Sequence, residues 1–312
     1  MESKSRTLAD NDARLAFWLL LPTVTVVLAF VVFPMVWNIW LSLKPVSLAD
    51  LRGESLFRFN FTFENYGKVF SDPEFGSVLL TTLLYTFSGS FLSIFLGLIA
   101  ALLVHEEFAG RGLVRALFIS PYISPVVAVT FTWSFILDPQ LGIVNWLGMN
   151  HGLWSQPIPF FSQRAWELTF LGLNIKIPLA LISVIIFEGW RYFPFAFLFV
   201  LARLQAIPQD LYHAASVDGA TPFQKFFYLT LPQLAGVLST LFLFRFIWTL
   251  NKFDDIFLLT RGQAGTKVLT IKVYDYAFGE FNMGASSALA MILFGILSVF
   301  FFIYFRWMVK ER

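Results

Sequence analysis

The chain has 312 residues, of which 57% are hydrophobic, 19% aromatic and only 13% charged. Soluble domains are about a quarter charged, so this composition points to a membrane protein. The net charge of +2 gives no electrostatic footprint for nucleic acid, and the absence of Cys excludes a disulfide framework, a thiolate metal site and a cysteine nucleophile.

Residues 1–14 read as a polar N-terminal tail carrying Lys4, Arg6 and Arg14. The first apolar run covers about 15–43 and is interrupted by Pro22 and Pro34. It is too long for the apolar region of a signal peptide, and no small-residue cleavage site follows, so it reads as a retained span. Residues 44–72 are polar, with one short surface helix near their end. Further runs cover about 75–104, 116–137 (with Pro121 and Pro125), 173–203, 234–257 and 285–307. Each exceeds or approaches the roughly 20 residues that cross a bilayer, which predicts six transmembrane helices. Residues 138–166 are rich in Gly, Pro, Asn and Trp and read as an irregular interfacial loop with aromatic anchors. The expected fold is therefore all-α: a six-helix transmembrane domain over 15–307, with short tails at 1–14 and 308–312. An even span number puts both termini on one side. The basic residues flanking the spans divide evenly between the two sides, so charge alone does not fix which side that is.

Residues 204–234 read as a built object between two spans. Pro208 suits a first helical position, and Asp210 follows where the helix dipole favours negative charge. Leu211, Ala214, Ala215 and Val217 put small or apolar groups largely on one face. Asp218-Gly219 stops this helix, with Gly219 free to take a positive φ. Thr221-Pro222 starts another as N-cap and first residue, Phe223, Phe226 and Phe227 give it an apolar side, and Leu231-Pro232 ends it. The expectation is two short amphipathic helices at an angle, with Ala214 and Ala215 leaving room for another protein.

Charges within the spans mark a second region. Glu188 and Arg191 share a face at i, i+3; Arg245 lies in the fifth run, with Lys252, Asp254 and Asp255 near its far end. Ionisable groups in hydrocarbon are costly, so they face a bundle interior or an aqueous cavity. Glu188, Tyr192 and Phe195 form one helical stripe; Trp248, Thr249, Lys252 and Asp255 form another, with Asn251 beside it. Aromatics mixed with hydrogen-bonding groups suit a ligand with ring faces and hydroxyl edges. The alternative is helix packing with a structural ion pair that fixes register, to which the polar path is preferred at Glu188 and the stripes. Catalytic templates fail: the HEEFA segment at His105 lacks the second His of a zinc site, and neither GxSxG nor GxxxxGK[ST] occurs. An ATP-driven role would need its nucleotide site on another chain.

With these residues set out, 204–234 resembles the EAA loop of inner-membrane subunits of binding-protein-dependent ABC importers, in particular the carbohydrate-uptake type. Leu204, Ile207, Pro208, Leu211, Tyr212, Ala214, Ala215, Asp218, Gly219, Ala220, Phe226, Leu231 and Pro232 match the pattern. Glu64-Asn65-Tyr66, the stretch from Gly110 to Arg115, Ser120-Pro121-Tyr122, Trp133 and Leu259-Thr260-x-Gly262 extend the resemblance along nearly the whole chain.

The resemblance implies a type I importer permease that binds no cofactor itself, with ATP-Mg on two cytoplasmic ATPase subunits. Leu211, Tyr212, His213, Ala214, Ala215, Asp218, Gly219 and Ala220 would dock in the ATPase groove. It further implies a bacterial inner-membrane location with both termini cytoplasmic, a second homologous permease subunit and a periplasmic solute-binding protein. Sugar contacts would fall on Glu188, Tyr192, Phe195, Trp248, Thr249 and Lys252, with Arg191, Asn251 and Asp255 beside them. One position departs from the pattern: His213 stands where the family usually has Glu. Lys252 with Arg191 or Arg245 suits an anionic sugar derivative as the alternative to a neutral one. A secondary transporter would carry an inverted repeat, and none is legible.

Overall fold

The computed structural model describes residues 2–47, 50, 60–170 and 173–310. Among the described residues the regular structure is helical except for one small hairpin, and the chain divides into two compact units: 1–72 with 273–296, and 73–272 with 297–312.

In the first unit, α1 (Glu2–Val27) passes through a π-helical turn at Leu28–Val32 into α2 (Phe33–Ser42). Helix begins at Glu2, so the polar N-terminal segment is continuous with the first span rather than an irregular tail. The π-turn has a cause in the sequence. Pro34 lacks an N–H and would clash with the carbonyl four residues back, at Phe30, and the wider turn around Phe30 relieves both. The short helix α3 (Glu64–Phe70) is tied to the end of α2 by Asn65, whose Nδ2 donates to the carbonyls of Ser42 (2.9 Å) and Lys44 (2.6 Å). Ser47 bridges to Asn282, just before α14 (Met283–Lys310).

The second unit holds the long helices α4 (Phe75–Leu103), α8 (Leu179–Gln205) and α11 (Leu231–Leu250). α4 and α8 pack along their length, and small residues let them approach closely. A Cβ added at Gly97 would stand 2.6 Å from the Ala196 Cβ and 2.7 Å from the Phe197 backbone nitrogen. Around this seam Ala101, Phe197, Val200, Leu204 and Leu234 form a buried apolar core. A second core gathers Tyr85, Val184, Phe187 and Ile256.

The third apolar run is broken. α5 (Arg111–Ile123) and α6 (Val126–Ile136) meet at an angle of 99° across Ser124-Pro125. Pro125 disfavours helical dihedrals at Ser124, whose ψ of 142° is extended. Counting this bent pair as one, six segments among the described residues are long and apolar enough to cross a membrane.

Three expectations are corrected. The region from Leu173 is not the start of the fourth span. Trp166–Phe170 (β1) and Leu173–Ile177 (β2) form an antiparallel hairpin, pairing Trp166 with Ile177 and Phe170 with Leu173, and helix begins only after Pro178. The fifth span ends at Leu250 instead of Phe257; the chain turns at 251–253 and a separate helix α12 (Asp254–Thr260) follows. The loop 138–166 is partly helical, with α7 at Ile143–Asn150.

Candidate functional site

Two places collect the residues singled out above. The first is the EAA-like loop. α9 (Gln209–Val217) begins after Pro208 and ends at Asp218, with Gly219 at φ 77°. No residue of α9 is buried; Val217 is 88% exposed, and His213 is exposed without a partner among the described residues. The helix is held from beneath by Tyr212, whose hydroxyl lies 2.9 Å from Thr230 Oγ1, and by Lys225, whose Nζ donates to Ser216 Oγ at 2.6 Å.

The second helix of the pair is not separate. Thr221 caps it with a complete capping box to Gln224, as α10 (Pro222–Gln224), but the chain then runs through a π-turn at Lys225–Thr230 straight into α11. Pro232 does not stop the helix because the carbonyl it would strike, at Tyr228, lies inside that wider turn. The relation matches that of Pro34 in the first span. The loop therefore presents one separate surface helix, α9, while the second helix is the base of the α11 span, in place of two free helices.

The second place lies among α4, α8 and α11. Glu188 and Arg245 are 0% and 1% exposed and form a buried ion pair. Tyr85 donates to Glu188 Oε2 at 2.8 Å and Thr249 to Oε1 at 3.0 Å. Arg245 also donates to Ser93 Oγ and Thr249 Oγ1, both at 3.1 Å. The stem of Glu188 occupies the space a side chain at Gly89 would need, 2.8 Å from an added Cβ.

Next to this pair, Lys252 Nζ donates to the Tyr192 hydroxyl at 2.7 Å and lies 3.6 Å from Asp255 Oδ2. The Tyr192 ring is approached by three cations: Lys252 at 4.0 Å, Arg245 at 4.5 Å and Arg191 at 5.5 Å from its centroid. Arg191 donates to the carbonyls of Pro121 (3.2 Å) and Ser124 (3.0 Å), the groups freed where α5 breaks before α6. Its charge is thus met by a helix C-terminus, where the dipole favours a cation.

Phe195 meets Trp248 edge to face at 5.0 Å, and Trp248 is 43% exposed. Asn251 turns back, donating to the Ile247 carbonyl at 2.9 Å. Asp255 is fully buried beside the Lys252 ammonium, and neither carboxylate oxygen accepts a hydrogen bond among the described residues.

So the structure brings Glu188, Arg191, Tyr192, Thr249, Lys252 and Asp255 together, with Phe195 and Trp248 on the adjoining face and Asn251 apart. Sequence reasoning missed Tyr85 and Ser93. Their signal was present: Thr82, Tyr85, Thr86, Gly89, Ser90, Ser93 and Gly97 mark one face of an otherwise apolar run at helical spacing. The cluster's cations are each matched by a carboxylate or by carbonyls, an arrangement suited to organising polar groups inside a bundle. Among the described residues, no group of three or more His, Asp or Glu could hold a metal.

Residues 93–311 match the family described as "Binding-protein-dependent transport system inner membrane component". Over 300 residues the chain is 33% identical to the trehalose/maltose transport system permease protein MalF of Thermococcus litoralis, covering 95% of this chain and 94% of the relative. Over 291 residues it is 34% identical to the inner membrane ABC transporter permease protein YcjO of Escherichia coli, with 92% of each covered. It is 30% identical over 296 residues to the trehalose transport system permease protein SugA of Mycobacterium tuberculosis, covering 95% of this chain and 89% of the relative. The fold is that of a chain in a bacterial alginate ABC transporter solved with an alginate pentasaccharide-bound periplasmic protein (TM-score 0.78, 20% identity, 94% of this chain and 93% of that one). With the match covering most of its length, this chain belongs to the family of inner-membrane components of binding-protein-dependent transport systems.

Proposed function

We propose that the chain is one permease subunit of an ATP-driven importer for a sugar-like solute. A second, homologous permease completes the translocation path, a periplasmic binding protein delivers the solute, and two cytoplasmic ATPase subunits drive the cycle. The observation that carries this reading is α9: a surface-mounted helix whose outer face has no partner among the described residues, at the EAA position of a chain of this family. An unpartnered apolar helix face rimmed by polar groups is a docking surface, and the ATPase is the partner that the reading assigns to it. On this reading 204–234 and both termini lie in the cytoplasm, and ATP-Mg is bound by the partner subunits. Sugar-transport relatives that align over nearly the whole chain support the solute class.

The substrate path is assigned to the face of Tyr192, Phe195, Trp248, Lys252 and Asp255, with Glu188 and Arg191 holding that face in place. Aromatic rings beside hydrogen-bonding groups fit the apolar faces and hydroxyl edges of a saccharide.

Co-purification tests the reading. An affinity-tagged chain expressed with its neighbouring transport genes should bring down an ATPase whose hydrolysis rises on adding solute-loaded binding protein. Recovery of this chain with no ATPase, while solute uptake continues, would overturn it.

A further inference from the structure

α4 and α8 begin at one end of the second unit and finish at the other. Ser77 and Leu181, near their starts, line a cavity of about 670 Å³, whereas Leu102 and Leu204, near their ends, line a different one beside α9. The first cavity therefore lies at the end remote from the coupling loop, which under the proposed function is the outward end.

Its wall is basic. Arg164, Lys176 and Lys267 line it, against the single carboxylate of Glu74. Glu74 is already shared between Lys267 (3.3 Å) and Lys272 (3.2 Å), and Lys176 meets Glu167 at 3.4 Å in an exposed pair. Arg164 makes no hydrogen bond or ion pair with any described residue. Its side chain lies across Gly265, so that a Cβ added there would stand 3.3 Å from Arg164 Cγ.

The loop facing Arg164 is unusual. Arg261, Gly262, Ala264 and Gly265 all have left-handed dihedrals, at φ 52°, 72°, 53° and 79°. Two of these residues are not glycine, and such conformations are costly and cluster where ligands are held. The loop's first N–H groups are used: Arg261 donates to the Ile256 and Phe257 carbonyls, Gly262 to Thr260 Oγ1, and Gln263 to the Thr260 carbonyl. The consecutive N–H groups of Ala264 and Gly265 have no acceptor among the described residues, and both residues line the cavity. Successive free N–H groups in a tight turn make an anion-binding concavity. Here that concavity sits beside an unpaired guanidinium, which favours planar oxyanions. Val78, Leu84 and Leu181 add an apolar part to the lining, and the volume suits a small saccharide.

We propose that this cavity is an outer binding subsite for an acidic saccharide, its carboxylate or sulfonate held by Arg164 and the Ala264 and Gly265 N–H groups. The subsite rests on the importer reading for its place on the outward face. It extends that reading by assigning an anionic solute class, and it lies apart from the Glu188–Arg245 region.

Binding to the full chain in lipid nanodiscs, purified with whatever subunits accompany it and without binding protein, tests the subsite. The probes are D-glucuronate, inorganic sulfate and D-glucose, followed by calorimetry. Glucuronate and sulfate should bind saturably and compete, glucose should bind at least about tenfold more weakly, and Arg164→Gln should weaken both anions about tenfold or more. The Arg164→Gln protein should keep its melting temperature, because no described residue pairs with that guanidinium.

Equal affinity for glucose and glucuronate, or anion binding unchanged in Arg164→Gln, would overturn the subsite. So would finding that neither anion binds while Arg164→Gln weakens capture of the binding protein, since the cavity would then receive a protein carboxylate. Absence of a co-purifying ATPase counts against the importer reading instead, and leaves the anion titration equally decisive.

Discussion

The Glu188 carboxylate and the Arg245 guanidinium face each other across α8 and α11 with no access to solvent, each held by further donors or acceptors from α4. In a bundle whose lipid-facing surface is as apolar as its core, such a pair fixes helix register where hydrophobic packing alone discriminates poorly. Removing one partner strands the other. Arg245→Met should destabilise the protein by about 3–5 kcal/mol, and Glu188→Gln/Arg245→Met together should recover much of that loss. Thermal unfolding in detergent reads both. A double variant no more stable than Arg245→Met would show that the charges contribute less than the shapes of the side chains.

The seam between α4 and α8 makes a second, independent prediction. Gly97 abuts both a side chain and the backbone of α8, so nothing flexible can move aside for a new methyl group. Gly97→Ala should cost about 1–3 kcal/mol by overpacking. Gly236, in α11 with open space around it, is the control: Gly236→Ala should be neutral or slightly stabilising through helix propensity. Melting temperatures of the two variants should therefore move in opposite directions, or at least differ clearly.

Much of this was legible in the residues. Apolar runs gave the span number, Asp218-Gly219 gave the end of α9, and Thr221-Pro222 gave the start of α10. What escaped was decided by competing local rules. Leu173, Ile175 and Ile177 alternate with Asn174 and Lys176, a strand pattern, yet they adjoin an apolar helix and merge with it in any count of hydrophobic length. Pro232 carried a stop signal that a π-turn cancelled, something visible only in the hydrogen bonding. The Tyr85 and Ser93 contacts required knowing that α4 packs on α8 and α11, which spacing within one helix does not reveal.

The exposed α9 predicts effects on coupling without effects on folding. Val217 is almost fully exposed, so Val217→Asp should leave the melting temperature within about 0.5 kcal/mol equivalent of the parent. In the proposed complex it should sharply reduce ATPase stimulation by loaded binding protein. Gly219→Pro should do the same, because proline cannot adopt the positive φ that turns the chain after Asp218. His213→Glu introduces a carboxylate where this chain has an exposed imidazole, and should strengthen or weaken ATPase capture without moving stability. If all three variants couple normally in reconstituted vesicles, α9 is not the docking helix.

Lys252 and Asp255 separate the structural from the transport role of the inner cluster. Lys252 pairs with Asp255, whose carboxylate has no hydrogen-bond donor among the described residues, and it also holds the Tyr192 hydroxyl. Lys252→Gln should therefore destabilise by about 1–3 kcal/mol, and adding Asp255→Asn should restore most of the loss, since no buried charge then remains unmatched. The double variant is the informative one for transport, because its fold is intact. If the inner face takes an acidic saccharide, uptake of that solute should fall at least about tenfold in the double variant, consistent with loss of a charge-assisted contact, while uptake of a neutral sugar, if it is carried, should change less. Unchanged uptake of an acidic solute by the double variant would remove Lys252 from the path and leave it as a brace for Tyr192.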